Sequence, residues 1–295
     1  GRLIRRWISE PLMDRVKINS RLEAVQDLKD NTILREELQK ALKKVYDIER
    51  LVGKISYGNS NGREMNSLKA SLEQIPEIKE LLKQSQAPLI IALNNNLDDC
   101  HDLAKLINDA IVDEPPITIK DGGIIKEGYN SLVDEYKKAS TEGKTWLLEL
   151  EQREKEKTGI KNLKIGFNKV FGYYLEVTKS NLSSVPDYYI RKQTLTNGER
   201  YITEELNELE SKILTAEEKL VGLEYELFLQ IRDELAKNIQ RLQKTASVIA
   251  TLDVIASLAT VADDMNYVKP IVDNEGEIDI KEGRHPVIEK MIDSG

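Results

Sequence analysis

The sequence predicts a mainly α-helical protein: a helical bundle core with two long antiparallel lever helices that carry a small β-rich insertion. Three observations predict it. The 295 residues are 32% charged and only 5% aromatic, a balance typical of long helices with solvated faces. Over most of the chain, apolar residues recur at alternating steps of three and four. Between residues 159 and 201 that spacing gives way to a period of two, the mark of half-buried strands.

The N-terminal part, residues 1–122, reads as the core. Ile18, Leu22, Val25 and Leu28 form one stripe; Leu34, Leu38, Ala41, Leu42 and Val45 form a second. Ile48, Leu51, Val52 and Ile55 lead to a break at Gly58-Asn59-Ser60-Asn61-Gly62. Leu68, Leu72 and Ile75 precede Pro76, and Leu97, Leu103, Leu106 and Ile107 mark a helix ending before Pro115-Pro116. Asp121-Gly122-Gly123 is the turn from which the outgoing lever starts.

That lever occupies 123–158, with a seam of Tyr129, Leu132, Tyr136, Ala139, Gly143, Trp146 and Leu150. The insertion is 159–202. Leu163, Ile165 and Phe167, then Tyr173, Leu175 and Val177, alternate around a hairpin turn at Asn168-Lys169-Val170-Phe171-Gly172. The returning lever is 203–264, with Leu206, Leu209, Ile213, Ala216, Leu220, Leu223 and Leu227 on its seam. Ile231, Leu235, Ile239, Leu242, Ala246 and Ile249 extend it. A chain that leaves on one helix and returns on the other makes the pair antiparallel. At about 1.5 Å per residue, a continuous helix from Thr203 to Ala262 would be roughly 90 Å long. Residues 265–295 change character again. Ile271-Val272 and Ile278-Asp279-Ile280 look like short strands around a Gly276 turn, the start of a further domain cut at Ser294-Gly295.

Net charge is −8, which at first argues against a polyanionic partner, but the distribution is uneven. The insertion carries seven cations (Lys161, Lys164, Lys169, Lys179, Arg191, Lys192, Arg200) against three anions (Glu176, Asp187, Glu199). It is therefore +4, leaving −12 for everything else. A basic tip on acidic arms suits a device that meets a polyanion only at its end. Surplus lysines kept for solubility are the plain alternative. A coiled-coil scaffold or interaction protein with a β tip, and a helical arm that positions RNA for an enzyme, fit the same pattern.

Catalytic signatures are sparse. Gly143-Lys144-Thr145 resembles the end of a phosphate-binding loop, but Lys138 stands where that loop needs its first glycine. Cys100 and His101 diverge on a helix, with no third group to orient them. One cysteine and two histidines do not make a typical structural zinc site. Asp98-Asp99 and Asp263-Asp264 read as solvated helix faces or ends. The single cysteine suits a reducing compartment. No leader and no run of about 18 apolar residues is visible, so neither secretion nor membrane insertion is expected. Asn181-Leu182-Ser183 matches a glycosylation acceptor by chance.

Several stretches resemble the bacterial MutS family of DNA mismatch repair proteins, in the family's order. Arg2-Leu3-Ile4-Arg5-Arg6-Trp7-Ile8-Ser9-Glu10-Pro11-Leu12 and Arg21-Leu22-Glu23-Ala24-Val25 are similar to the start of its core. Asp47-Ile48-Glu49-Arg50-Leu51 and Asp121-Gly122-Gly123-Ile124-Ile125-Lys126-Glu127-Gly128-Tyr129-Asn130 resemble its next two markers. Gly166-Phe167-Asn168-Lys169-Val170-Phe171-Gly172-Tyr173-Tyr174 and Gln193-Thr194-Leu195-Thr196-Asn197-Gly198-Glu199-Arg200-Tyr201 resemble its clamp. Glu282-Gly283-Arg284-His285-Pro286-Val287 resembles the beginning of its ATPase domain.

The resemblance implies that the β-rich insertion is a clamp that contacts the backbone of double-stranded DNA without reading its sequence. Asn168, Lys169, Arg191, Lys192, Thr196, Asn197 and Arg200 carry donors suited to phosphate and are the implied contacts. Arg200 paired with a nearby carboxylate, and Asn168 capping its own turn, are the structural readings of two of them. The parent implied is a dimeric ATPase that uses ATP and Mg2+, works with a MutL-like partner and acts in the bacterial cytoplasm at the nucleoid. The mismatch-reading domain, the phosphate-binding loop and the dimerising region have no counterpart here. The chain is thus expected to be a piece of such a protein, with no nucleotide cofactor, metal or enzymatic activity of its own.

Overall fold

The computed structural model describes residues 1–292 of the chain. Asp293 and the expected cut at Ser294-Gly295 lie outside the described residues. In chain order the helices are α1 (Arg2–Ser9), α2 (Arg15–Asp30), α3 (Thr32–Lys43), α4 (Ile48–Ser56), α5 (Gly62–Leu72), α6 (Ile75–Leu82), α7 (Pro88–Asn96), α8 (His101–Ala110) and α9 (Ser131–Thr158). A four-stranded sheet follows: β1 (Lys164–Asn168), β2 (Gly172–Thr178), a 3₁₀ turn at Lys179–Ser184, β3 (Ile190–Thr194) and β4 (Gly198–Ile202). Then come α10 (Glu204–Lys237), α11 (Ile239–Asp264) and α12 (Pro286–Ile292). The mainly α architecture with an inserted β module is thus what the chain adopts. Pro76 sits in the first turn of α6, where its missing N–H costs nothing, and so opens a helix rather than closing one.

The chain divides into two compact units. The first comprises residues 1–43, 75–97 and 245 onward. Its core is built from Ala24 and Leu28 of α2, Leu34, Leu38 and Ala41 of α3, Ile75, Ile78 and Leu82 of α6, Ile90 of α7, and Leu252, Ile255 and Ala259 of α11. Asp263, in the last turn of α11, is partly solvated as expected and also takes the Arg35 guanidinium at 2.6 Å, and Arg35 donates to Leu28 O and Lys29 O as well. Helix α11 is, against the expectation from sequence, long and apolar enough to cross a membrane by length and composition. Here its apolar residues fill a protein core instead. The short strands expected near Ile271 and Ile278 are absent among the described residues. Both side chains are exposed and no neighbouring strand offers them a ladder, so the backbone stays irregular.

The second unit comprises residues 44–74 and 98–244. In it α4 and α8 pack against part of α10, and α5 packs on α4 and α8, with Leu51, Val52, Leu68, Leu72, Leu103 and Ile107 buried. Asn61 and Glu64 close a reciprocal capping box on α5. Asp98, read from sequence as solvated, receives Arg241 at 2.8 Å together with Asp102, and its carboxyl is held below the usual range by those bonds. Cys100 is buried in a left-handed conformation at the start of α8, an ordinary bundle residue, and His101 is exposed.

Helices α9 and α10 run antiparallel, but their seam differs from the one expected. Leu132, Ala139 and Trp146 face solvent. The buried positions of α9 are Val133, Ser140, Gly143, Leu147, Leu150 and Glu154. Only Gly143 and Leu150 are common to both stripes. Gly143 explains the shift: a Cβ there would lie 2.4 Å from Ile213 Cγ1 of α10, so the helices approach too closely for Trp146 to share the seam. Polar pairs then cross it, Ser140 Oγ donating to Glu217 at 3.2 Å. On α10 the buried stripe passes through Glu224 and Phe228 instead of Leu223 and Leu227. Glu224 is fully buried because it accepts the backbone N–H of Gly123 (2.6 Å) and Ile125 (3.2 Å), pinning the Gly122-Gly123 turn. The helix itself begins only at Ser131, capped by Asn130.

The continuous helix expected from Thr203 to Ala262 is interrupted at Asn238. There the backbone N–H turns to Leu235 O, the side-chain amide bonds Glu234 O, and Arg241 donates to Asn238 Oδ1. An asparagine that satisfies its backbone neighbours with its side chain competes with the helical ladder. The uninterrupted part, α10, is roughly 50 Å long.

Candidate nucleic-acid interface

The sheet has the order β1-β2-β4-β3, antiparallel throughout. Its inner face is apolar. Leu163, Leu175, Val177, Tyr189 and Tyr201 join Leu147, Leu150, Leu206 and Ile213 of the two helices in one cluster. The β module therefore shares its core with the ends of α9 and α10. Gly159 (φ +74°) ends α9, and Thr203 caps α10 by accepting the Leu206 N–H at 3.1 Å.

The seven residues implied as DNA contacts fall in different places. Asn168 ends β1. Its Oδ1 accepts the Val170 N–H at 2.8 Å, and Phe171 N–H donates to Asn168 O, so its side chain is occupied in shaping the turn. Lys169 is exposed on that turn beside Val170 and Phe171. The turn folds back along α10: Tyr173 N–H donates to Glu210 Oε2 at 3.1 Å, and Gly172 (φ +76°) lies so close to the Glu210 carboxylate that a Cβ there would have to displace it. Asn168 and Lys169 thus sit at the end of the sheet nearer the helices.

Thr196 and Asn197 sit at the opposite, distal end. Leu195 N–H bonds Gly198 O at 2.8 Å, leaving both residues exposed at the tip of the β3–β4 turn. Gly198 is required, because a Cβ would fall 2.3 Å from Val177 O.

Arg191 and Lys192 lie on the edge strand β3 at a bulge. Arg191 pairs with Tyr201 and Gln193 with Arg200, so Lys192 is the extra residue. The bulge puts Arg191 and Gln193 on opposite faces and blunts an edge that would otherwise invite pairing. The Arg191 guanidinium is 64% exposed and reaches Glu199 at 3.5 Å. Lys192 is exposed and forms no ion pair among the described residues.

Arg200 is occupied. It donates to Glu176 (3.1 Å) and Gln193 (3.0 Å) and stacks over the Tyr174 ring at 4.1 Å. The pairing with a carboxylate, one of the two readings open for this residue, is the arrangement present. Its charge is spent on the outer face of the sheet.

Glu154 escaped sequence reasoning. It is 2% exposed in the last turns of α9, where it accepts the hydroxyls of Tyr188 (2.8 Å) and Tyr189 (2.9 Å). These tyrosines immediately precede β3, so one buried carboxylate fixes the strand that carries Arg191 and Lys192. Burial and the hydrogen bond to Glu154 push the Tyr188 hydroxyl up to about 12 and raise Tyr189 further. Burial and its bond to Glu199 likewise push Tyr201 up to about 12. The signal for Glu154 was its spacing: it follows Leu147 and Leu150 at steps of three and four, a seam position held by an acid.

Among the described residues no cluster of three or more His, Cys, Asp or Glu side chains is arranged to hold a metal. Gly143-Lys144-Thr145 lies within α9, with no strand before it. The arrangement offers exposed donors at the distal turn and bulged edge of a sheet, seated on two packed helices.

A family model described as MutS domain III matches residues 1–259. The DNA mismatch repair protein MutS of Alkaliphilus oremlandii is 54% identical over 294 residues, covering 100% of this chain and 33% of that protein. Those of Halothermothrix orenii and Clostridium tetani are 51% and 53% identical over 291 and 296 residues, covering 99% and 100% of this chain and 32% and 34% of theirs. The chain spans about a third of the length of these curated relatives. With its core, its packed helix pair and its inserted sheet all inside the matched region, the chain belongs to the MutS domain III family.

Proposed function

We propose that this chain is the part of a mismatch repair ATPase that grips duplex DNA by its phosphates and links that grip to a nucleotide-hydrolysing domain elsewhere in the protein. The observation that carries the reading is the edge of the β module. Arg191 and Lys192 stand exposed at a bulge, and Thr196 and Asn197 at the distal turn, on an insertion with a surplus of four positive charges. Phosphate contacts of this kind give affinity and position without sequence preference. A sheet that shares its core with α9 and α10 would pass a displacement along them as a rigid body. ATP and Mg2+ would be held outside this chain, and the working protein would be a homodimer acting with a MutL-like partner in the bacterial cytoplasm.

Fluorescence anisotropy with a labelled duplex, repeated over a range of salt, tests the grip. Lys192→Ala should lower the slope of log affinity against log salt by about 0.9, and Arg191→Ala by up to as much again where phosphate displaces Glu199. Asn197→Ala should weaken binding with little change in slope, because it removes a donor and no charge. Lys43→Ala with Lys44→Ala should change nothing. A larger loss from that control than from the Arg191 and Lys192 substitutions would put the contact elsewhere and end the proposal.

A further inference from the structure

Of the seven cations in the insertion, Arg191 and Arg200 already face Glu199 and Glu176. Lys161 and Lys179 are exposed and form no ion pair among the described residues, and the fold brings both to the distal end of the sheet. Lys179 N–H donates to Asn197 O at 3.1 Å, fixing it beside the β3–β4 turn. Next to Lys161, Asn162 donates to Thr178 Oγ1 at 3.1 Å. Asn181 donates to both Asn162 Oδ1 (2.8 Å) and Thr178 Oγ1 (3.1 Å). This network ties the segment before β1 to the end of β2 and to the 3₁₀ turn.

Exposed side-chain bonds of this type compete with water and add little stability. Their physical effect is to order the backbone beneath two lysines that would otherwise sit on loose connections. Lysines on an ordered backbone lose less entropy when they meet an anion than lysines on a loose connection.

We infer that Lys161 and Lys179 form a second row of contacts for the phosphate oxygens of duplex DNA, in addition to the row on β3. The inference rests on the DNA-gripping reading above. It moves the charge that meets DNA away from Arg200, which is neutralised within the sheet, and toward lysines in connecting segments.

The test is salt-dependent anisotropy of the whole chain on one duplex, comparing Lys161→Ala with Lys179→Ala, Lys192→Ala, and the charge-matched control Lys43→Ala with Lys44→Ala. Each phosphate-bound lysine removed should reduce the fall in affinity between about 50 and 200 mM salt by roughly 3.5-fold, the factor that a slope of 0.9 gives over a fourfold change in salt. The double substitution at 161 and 179 should therefore reduce it about twelvefold, and the control should not. If Lys192→Ala lowers the slope while the 161 and 179 pair behaves like the control, the second row is refuted and the grip through β3 stands. If none of the three sets changes the slope, the DNA-gripping reading fails and the second row falls with it.

Discussion

Replacing Glu154 by alanine should loosen the β module and leave the helical core intact. Two hydroxyls lose their acceptor. Tyr189 is 7% exposed, so its O–H cannot turn to water, and an unsatisfied buried donor costs about 1–3 kcal/mol. Tyr188 is half exposed and can rehydrate, adding no more than about 0.5–1 kcal/mol. The pair with Lys157, whose side chain is solvated, contributes at most about 1 kcal/mol. Against this, the substitution removes a charge that was itself costly to bury, and alanine favours the helix by a few tenths of a kcal/mol. A net loss of about 2–3 kcal/mol follows. Urea denaturation followed by Trp146 fluorescence in a Trp7→Phe background would measure it, because Trp146 lies on α9 close to the affected end. Glu154→Gln keeps an acceptor of the same shape and should cost clearly less. A loss below about 0.5 kcal/mol for alanine, or equal losses for alanine and glutamine, would refute the account of Glu154 as the acceptor that holds β3.

Three further outcomes are expected. Tyr188, Tyr189 and Tyr201 have pKa values raised above the ordinary tyrosine value of 10, so each favours folding while it is neutral. That stability is fully present below pH 10; the part from Tyr188 and Tyr201 is lost as pH climbs through 12, and that from Tyr189 is lost only at higher pH. Near-ultraviolet circular dichroism of the tyrosines should therefore change between pH 10 and 12 and reverse on return. Gly143→Val forces a side chain against buried Ile213 and should cost about 2 kcal/mol in thermal or chemical unfolding. The cost should shrink in an Ile213→Ala background, and equal costs in the two backgrounds would contradict the close approach. The chain should bind matched and G·T duplexes within tenfold of each other, about 1.4 kcal/mol, because nothing in a phosphate contact reads a base. Anisotropy with the two duplexes decides it.

Much of the architecture was legible because it rests on local periodicity. The change from steps of three and four to steps of two marked the sheet, and Ile165 and Phe167 do pair across the hairpin with Leu175 and Tyr173. The Asn168-to-Gly172 turn was legible from turn chemistry, which acts within four residues. The phase of the α9 seam was not. Leu132, Ala139 and Trp146 form as good a stripe on paper as Val133, Ser140 and Leu147 do. Residue size at one contact, Gly143 against Ile213, chose between them.

The same division runs through the candidate interface. The sequence by itself determined which residues carry donors and surplus charge, since composition and spacing are properties of the chain. It also left both readings of Arg200 and Asn168 open. Only the tertiary structure decided that Arg200 lies between Glu176 and Gln193, and that Asn168 and Lys169 fold back along α10 while Thr196 and Asn197 point away from it. It alone brought Lys161 and Lys179 to one end and set Glu154 beneath the strand before Arg191. The physical reason is that a charge is available to a ligand only if no nearer partner neutralises it. Nearness across strands and between helices, over separations such as the 35 residues between Glu154 and Tyr189, is set by register and packing and not by position along the chain.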